Sequence, residues 1–332
     1  MAFNIDLNYK TILITGGAGF IGSNIAFHIQ DNFPNAHLII FDCFRNNSTL
    51  TNEGLQSFGH YNNLIGFKGN IICGNINYKQ DLELLNMYKF DYIFHQAAIS
   101  DTRALNQELV FQTNVNSFYS LLAIAKKDGA AMVYASSAAT YGSLKSPQVV
   151  GKESPENAYA YSKYAMDQIA YRLIQTETDI SIVGLRYFNV YGIREFHKEK
   201  TSSMVTQLGL QILSNKPPRL FDNSNHIFRD FINIEDVVQA NIKACKPKKN
   251  GVYNIGTGQP RSFQNIADIL QQELGTNLET EYFPNPYKDY QMNTQAEITS
   301  SKEYLGFQPK ISLEVGIKKY ISEIKRLHLE FF

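Results

Sequence analysis

The sequence contains no tryptophan and few cysteines, and the spacing of those cysteines excludes some classes of site. Cys43, Cys73 and Cys245 are the three cysteines among 332 residues and form no CxxC pair, so neither a disulfide framework nor a zinc site is expected. The seven histidines do not cluster and no HExxH pattern occurs, so we expect no metal. Thiols without a pairing pattern favour a cytoplasmic protein.

An excess of charge of either sign is also absent. The 31 basic residues balance the 31 acidic residues, so we expect neither nucleic acid nor an anionic membrane as a partner. No stretch approaches the ~20 apolar residues that span a bilayer. The N-terminal residues lack the basic and apolar pattern of a secretory signal. A hydrophobic fraction of 44% is enough for a large core.

Continuous apolar strands alternate with helical patterns over much of the chain. The expected strands are 11–15, 37–42, 66–76, 92–98, 132–137 and 180–190, and the expected helices are 78–88, 105–127 and 157–177. This alternation predicts an α/β fold with a doubly wound parallel sheet of the Rossmann type, joined to a smaller mixed α/β domain. We assign 1–187 and 230–259 to the nucleotide-binding domain, and 188–229 and 260–332 to the substrate-binding domain.

A glycine-rich turn follows the first predicted strand. Gly16, Gly19 and Gly22 lie at GxxGxxG spacing before a predicted helix, which is typical of a turn that brings backbone amides and a helix N-terminus to a pyrophosphate. Asp42 ends the second strand, where a carboxylate either accepts hydrogen bonds from a ribose or caps the strand. Arg45 follows closely and could pair with a 2′-phosphate. These residues alone leave NAD and NADP open.

Tyrosine, lysine and serine form a second candidate group. Tyr159 and Lys163 are four residues apart on a predicted helix, so they share one face. A nearby ammonium and an oxidised nicotinamide would both favour the phenolate of such a tyrosine. The same spacing also occurs by chance in ordinary amphipathic helices. Ser136 and Ser137 end an upstream strand, where a serine can hydrogen-bond a reacting oxygen or simply cap the strand.

Together these motifs resemble the extended short-chain dehydrogenase/reductase family, whose members act on nucleotide sugars. The matching segments are TGGAGFIG (15–22), HQAA (95–98), YASSAATYG (134–142), YAYSK (159–163) and LRYFNVYG (185–192). The resemblance implies a catalytic triad of Ser137, Tyr159 and Lys163. It also implies cofactor contacts from Gly16, Gly19, Phe20, Ile21, Gly22, Gln96, Ala97, Ala98, Asn114, Tyr159, Lys163 and Val190, in addition to Asp42 and Arg45.

Later segments are similar to a narrower group within that family, the ADP-L-glycero-D-manno-heptose 6-epimerases. They are NVYGIREFHKEKTSSM (189–204), LFDNSNHIFRDFINIEDV (220–237) and DYQMNTQAEI (289–298). The similarity implies transient oxidation at C6 of an ADP-heptose with NADP, NAD being possible, in the synthesis of lipopolysaccharide inner core. It places Lys198 as a second acid/base, with Lys200 as the rival because the segment departs from the family pattern beyond Lys198. The implied substrate contacts are Ser137, Asn189, Lys198, Phe221, Asp222, Asn223, Ser224, Arg229 and Tyr290.

Other functions share part of this pattern. A nucleotide-sugar 4-epimerase has every motif before residue 192, and a 4,6-dehydratase has the same fold. The dehydratases carry an acidic pair near the catalytic serine, whereas Ala138, Ala139 and Thr140 follow Ser137 here. A non-catalytic NADP-binding regulator is the third alternative, and it would not need the serine, tyrosine and lysine. We expect a homo-oligomer, with a pentamer as one form.

Overall fold

The computed structural model describes residues 5–45, 50–51, 54–55, 59–177, 179–286 and 291–331. Its strands are β1 (Thr11–Thr15), β2 (His37–Asp42), β3 (Leu50–Thr51), β4 (Gly54–Leu55), β5 (Asn70–Cys73), β6 (Tyr92–His95), β7 (Ala131–Ser137), β8 (Ile182–Tyr187), β9 (Asn189–Tyr191), β10 (Arg219–Phe221), β11 (Phe228–Arg229), β12 (Phe231–Asn233), β13 (Gly251–Ile255), β14 (Arg261–Ser262) and β15 (Glu281–Phe283).

The α-helices connect these strands and cover the sheet. They are α1 (Phe20–Asn32), α2 (Lys79–Glu83), α3 (Gln107–Phe111), α4 (Ser117–Asp128), α5 (Ala158–Thr176), α6 (Met204–Leu213), α7 (Ile234–Ala244), α8 (Phe263–Leu274) and α9 (Leu313–Phe331). No helix in the described residues is both long and apolar enough to cross a membrane. The same residues contain no group of three or more histidine, cysteine or acidic side chains that could hold a metal ion.

A seven-stranded parallel sheet forms the centre of the larger layer. Its strand order is β13-β8-β7-β6-β1-β2-β5, and every neighbouring pair runs parallel. The inner strands are buried on both faces, which explains why they appear in the sequence as unbroken apolar runs. The chain order reverses between β1 and β6, and such a switch point opens a crevice at the carboxyl ends of the strands. The predicted fold class is confirmed.

Two apolar clusters lie on the two faces of this sheet. One cluster joins the sheet to α1 and α7, and the other joins it to α4 and α5. Leu305 and Phe307 also pack in the first cluster, although they follow the predicted domain boundary at residue 260. A third cluster is built by α6, α8 and α9, so these helices make a separate smaller core.

Several predicted elements are shorter than the apolar pattern indicated. The strand expected over 66–76 is confined to β5, and the strand expected over 180–190 divides into β8 and β9. The division occurs because the Phe188 amide bonds to the Ile255 carbonyl of β13, while β9 pairs with β12 outside the main sheet. The helix expected over 105–127 is interrupted by a π-helical turn, Gln112–Asn116, of a kind that often marks functional positions.

A buried ionic network ties α5 to strands β7 and β8. Arg186 is fully buried, and its Nε donates to Asp167 at 2.9 Å while its guanidinium also pairs with Glu153. Asp167 also accepts hydrogen bonds from Tyr134 at 2.8 Å and Ser136 at 2.9 Å. Burial raises the pKa of Asp167, and the arginine and hydroxyl contacts oppose that rise. The network therefore supports the end of β7, directly before Ser137.

Removing the arginine tests how much the fold depends on this network. We expect Arg186→Met to lower the free energy of unfolding by about 3 kcal/mol or more, because the buried Asp167 and the partly buried Glu153 lose their cation. Denaturant unfolding followed by circular dichroism measures the change. Arg172→Met, at an exposed position of α5, is the matched control and should change stability by less than about 0.5 kcal/mol. An equally small loss for Arg186→Met would contradict the assigned role.

Candidate active site

A cavity of about 540 Å³ opens at the carboxyl ends of the strands, across the switch point between β1 and β6. Of the candidate cofactor and catalytic residues, it is lined by Gly16, Gly19, Phe20, Ile21, Gly22, Asp42, Gln96, Ala97, Ala98, Ser137, Tyr159, Lys163, Val190 and Lys198. The candidate substrate residues Asn189 and Arg229 line it too. Residues far apart in the chain are thus brought to one concave surface, the usual form of a ligand site.

The glycine turn fits a pyrophosphate because it leaves no room for side chains. A Cβ on Gly16 would lie 2.6 Å from the Ala97 amide nitrogen, and Gly16 itself has φ +68°. A Cβ on Gly22 would lie 2.3 Å from the Gly16 carbonyl oxygen. Helix α1 begins here with no side-chain cap and no acidic residue in its first turn. Its N-terminal amides therefore remain available to an anion in the cavity.

Asp42 supports the turn from the second strand. Its carboxylate accepts hydrogen bonds from the Ala18 and Phe44 amides, each at 2.9 Å, and it also lines the cavity. Burial raises the pKa of Asp42, while these two backbone bonds oppose the rise. Asp42 thus stabilises the backbone of the turn, and it also lies in the cavity where a ribose contact was predicted.

Several lining residues were missed by the sequence analysis. They lie mostly at strand ends and in the segment after Lys198: Phe41, Cys43, Gly59, Gly74, Asn75, Ile76, Asn77, Ile99, Ser100, Leu109, Thr113, Ala135, Tyr187, Phe188, Thr201, Ser202, Ser203, Met204, Phe231 and Phe263. The Gly74-Asn75 pair, directly after β5, was the available signal for part of this set, because strand ends of a parallel sheet converge at one edge.

Ser137, Tyr159 and Lys163 meet at the side of the cavity formed by β7 and α5. Ser137 forms a side-chain hydrogen bond with Tyr159, and Lys163 donates from Nζ to the Ala135 carbonyl at 2.8 Å. Asn157 caps α5 through a hydrogen bond to the Ala160 amide, and this fixes the first turn that carries Tyr159. The serine and tyrosine are in hydrogen-bonding contact, and the lysine is held against the strand.

Burial acts on the ionisation of both the tyrosine and the lysine. Burial raises the pKa of Tyr159, and the hydrogen bond with Ser137 opposes the rise. Burial also lowers the pKa of Lys163 to about 8, against the opposing charge of Asp167. Burial thus favours the neutral form of Tyr159, and the ammonium of Lys163 and an oxidised nicotinamide remain the groups expected to favour its phenolate.

Lys198 reaches the cavity from outside the main sheet. It lies in the 3-10 segment Phe196–Thr201, and its Nζ is 5.5 Å from the centroid of the Phe20 ring, at the start of α1. Burial lowers the pKa of Lys198, and the charge of Glu195 opposes this. The next residue, Glu199, has φ 52°, so the backbone is kinked directly after the lysine. The side chain of Lys200 lies outside the described part.

Arg45 does not line the cavity. Its guanidinium pairs with Glu199 at 2.9 Å and also donates to the His197 carbonyl. The His197 ring stacks on His60 with the centroids 3.7 Å apart. Arg45 thus bridges the loop after β2 and the segment that carries Lys198, and a 2′-phosphate would have to compete with Glu199 for it.

Other predicted contacts also lie apart from the cavity. Asn114 is fully buried, and its amide bonds to the Ile99 backbone and to Ser162, so it positions the cavity wall. Among the described residues, the lining does not include Phe221, Asp222, Asn223 or Ser224. Phe221 instead makes an edge-to-face contact with Phe283. Arg229 is the exception, because it does line the cavity. Its Nη1 donates to the Phe228 carbonyl. Tyr290 lies outside the described residues.

The glycine turn at the switch point and the serine, tyrosine and lysine that share its cavity are the motifs by which the sequence resembles the short-chain dehydrogenases/reductases. The model of the NAD dependent epimerase/dehydratase family matches residues 12–256, and the chain belongs to this family. The resemblance indicated by the sequence motifs is thereby confirmed. The chain is an epimerase-type enzyme, and its cofactor is a nicotinamide dinucleotide.

Individual relatives cover almost the whole chain. A protein of Brachyspira hyodysenteriae named ADP-L-glycero-D-manno-heptose-6-epimerase is 33% identical over 95% of this chain and 98% of its own. The Helicobacter pylori ADP-L-glycero-D-manno-heptose-6-epimerase structure is 49% identical, covers 98% of this chain and 99% of that one, and has a TM-score of 0.88. A Thermotoga maritima UDP-glucose 4-epimerase with UDP-glucose is 25% identical over 96% and 99%, with a TM-score of 0.83.

Replacing Lys163 tests the energetic cost of its burial. The folded-state pKa of Lys163 is lowered to about 8, below its ordinary value of 10.5, so at pH 7 the buried charge destabilises the fold. We expect Lys163→Met to raise the free energy of unfolding at pH 7 by about 3 kcal/mol. Between pH 8 and 10.5 the unfolded chain binds more protons at this site than the folded chain does. The stability of the wild type therefore rises over this range, and its deficit relative to Lys163→Met disappears.

Denaturant unfolding at a series of pH values measures this difference. Lys302→Met, which removes an exposed lysine, is the control and should show no pH-dependent gap. A Lys163→Met protein that is less stable than the wild type at every pH would show that the amine stabilises the fold.

Proposed function

We propose that this enzyme inverts C6 of the heptose in ADP-D-glycero-D-manno-heptose, giving the ADP-L-glycero-D-manno-heptose needed for lipopolysaccharide inner core. The observation that supports the proposal most is that Lys198 lines the same cavity as Ser137, Tyr159 and Lys163. Lys198 lies in the segment 189–204, which is similar to the heptose 6-epimerases. Its presence in the cavity therefore favours epimerisation at C6 over epimerisation at another carbon of the sugar. The two named relatives support the same substrate.

The cofactor residues are those of the glycine turn, the end of β2 and the end of β6. When bound, the nicotinamide supplies a hydride acceptor for the oxidation and a hydride donor for the return. Gly16 and Gly22 leave room for the diphosphate, and the α1 N-terminus binds its charge. Lys163 is held by the Ala135 carbonyl, where its ammonium charge would act on the cofactor ribose and on Tyr159.

Inversion requires proton transfer for two orientations of the sugar. Tyr159 takes the proton of the C6 hydroxyl in one orientation, and Ser137 orients that oxygen through the hydroxyl pair. Lys198 serves the other orientation, because it approaches from the 3-10 segment and not from α5. Burial lowers the pKa of Lys198, which brings its neutral form closer to neutral pH.

A UDP-hexose 4-epimerase is the second candidate. The similarity of the fold to the UDP-glucose 4-epimerase of Thermotoga maritima favours it, and so do the motifs before residue 192. A 4-epimerase has no use for a second acid/base from residues 189–204. Turnover on ADP-heptose and on UDP-hexoses therefore distinguishes the two.

We further propose that the protein is cytoplasmic and assembles as a homo-oligomer. Its three cysteines have no pairing pattern in the sequence, which supports a reducing compartment. Exposed large apolar side chains, including Leu105 and Tyr119, support association with further copies.

Epimerisation should depend on both proposed acid/base groups. We expect Tyr159→Phe and Lys198→Met each to lower turnover on ADP-D-glycero-D-manno-heptose by ~10²-fold or more, the scale for losing acid/base assistance. Chromatographic separation of the two C6 epimers measures turnover, and calorimetry should show that both variants still bind the dinucleotide. With a C6-aldehyde analogue, each single variant should still dismutate in part.

Matched variants control for these changes. Tyr161→Phe, at a half-exposed position of the same helix, and Lys302→Met should both keep normal turnover. Near-normal epimerisation by Lys198→Met would assign the second group to Lys200 or show that one base suffices. Turnover on UDP-hexoses alone would refute the proposed substrate.

We also propose NADP as the preferred cofactor, with Arg45 as the group that binds its 2′-phosphate. Arg45 is paired with Glu199 at 2.9 Å, so the phosphate must displace that carboxylate. Arg45→Ala should reduce the ratio of NADP to NAD affinity by about tenfold, the scale of a lost charge-assisted contact. Glu199→Gln should increase the same ratio. Calorimetric titration measures both, and an unchanged ratio in Arg45→Ala would remove Arg45 from this role.

A further inference from the structure

Glu195 is a fully buried carboxylate three residues before Lys198. Its oxygens accept hydrogen bonds from the backbone amides of Gly192, at 3.3 Å, and Ser203, at 2.9 Å. They also meet the hydroxyls of Ser203 at 2.6 Å, Thr206 at 2.5 Å and Tyr320. Such a set of donors satisfies a carboxylate that has no access to water.

These donors come from both sides of Lys198 in the chain. Gly192 precedes the segment, Ser203 and Thr206 begin α6 after it, and Tyr320 lies on α9. The Glu195 carbonyl also accepts the Lys198 amide at 2.9 Å. The segment with Lys198 is therefore a loop whose two ends are tied together at one carboxylate.

Glu195 also acts on the charge of Lys198. Burial lowers the pKa of Lys198, and the negative charge of Glu195 raises it. Without the carboxylate, the amine would lose its proton at a lower pH. Ser203 caps α6 with its own side chain, accepting from the Thr206 amide at 3.4 Å, so helix capping alone does not explain the glutamate.

We propose that Glu195 is a positioning residue for Lys198: its hydrogen bonds join the two ends of the loop and hold the lysine at the cavity. This inference rests on the proposed acid/base role of Lys198. A carboxylate that only stabilised the fold would leave the titration of Lys198 unchanged.

Labelling Lys198 tests the proposal without any substrate. A trace amine-reactive reagent is applied to the whole protein from pH 6 to 11, and mass spectrometry of the Lys198 peptide gives the rate. At pH 7, Glu195→Gln should raise that rate by about tenfold, because loss of a nearby opposite charge increases the neutral amine fraction. The labelling rates of the wild type and of Glu195→Gln should become equal at high pH, where the amine is neutral in both. A difference that persisted there would instead indicate a change in the exposure of Lys198. Turnover on ADP-heptose should fall by roughly tenfold or more.

Two further variants complete the experiment. Tyr320→Phe removes one donor and keeps the charge, so it should lower turnover while leaving the labelling profile of Lys198 at its wild-type midpoint. Glu235→Gln, at an exposed carboxylate paired with Lys319, should change neither. Labelling of Lys198 in Glu195→Gln that follows the wild-type profile, or unchanged turnover, overturns the proposal. If the wild type does not convert ADP-heptose, the proposed function fails and the labelling profile alone decides the inference.

Discussion

The close approach of two backbone turns, after β1 and after β6, is the constraint around which the site is organised. Gly16 lies so near Ala97 that a Cβ would be 2.6 Å from its amide, and Gly22 packs as tightly on Gly16. Only at this distance does α1 begin directly above the switch point of the sheet. The N-terminus of the helix then faces the same cavity as the ends of β7 and β8, where the reactive side chains lie.

The reactive side chains depend on a second, polar layer beneath them. The ion pair of Asp167 and Arg186 stabilises the end of β7, and the charge of Asp167 also raises the pKa of Lys163. Lys163 and Lys198 are both desolvated, and a carboxylate opposes the fall of each pKa: Asp167 acts on Lys163, and Glu195 acts on Lys198. Each lysine thus has a carboxylate to balance its desolvation, contributed by a different part of the fold.

Features that repeat along the chain could be predicted from the sequence, and features that join distant segments could not. The sheet could be predicted from the apolar runs of β1, β2 and β7, and the glycine turn from the glycine spacing after β1. Both signals are local patterns in the sequence. The motif of Asn114 predicted a contact with the cofactor, whereas no local pattern indicated the hydrogen bonds that its side-chain amide forms with Ile99 and Ser162.

The same limit explains the other differences. Arg45 pairs with Glu199, which lies 154 residues later, and no local pattern signals such a contact. The shortening of the strand expected over 180–190 depends on hydrogen bonds from β12 and β13. The lining contributed by Thr201, Ser202 and Ser203 depends on a kink at Glu199, a residue type that rarely adopts positive φ.

The tie between Glu195 and α9 also sets an order in which the molecule can be completed during synthesis. The glycine turn and the strands β1, β2 and β6 beside it all come from the first hundred or so residues. Tyr320 leaves the ribosome much later, because it lies 114 residues beyond Thr206. Until then the loop with Lys198 lacks one of its anchors. The loop that carries Lys198, the proposed second acid/base, is therefore completed only when α9 has been made.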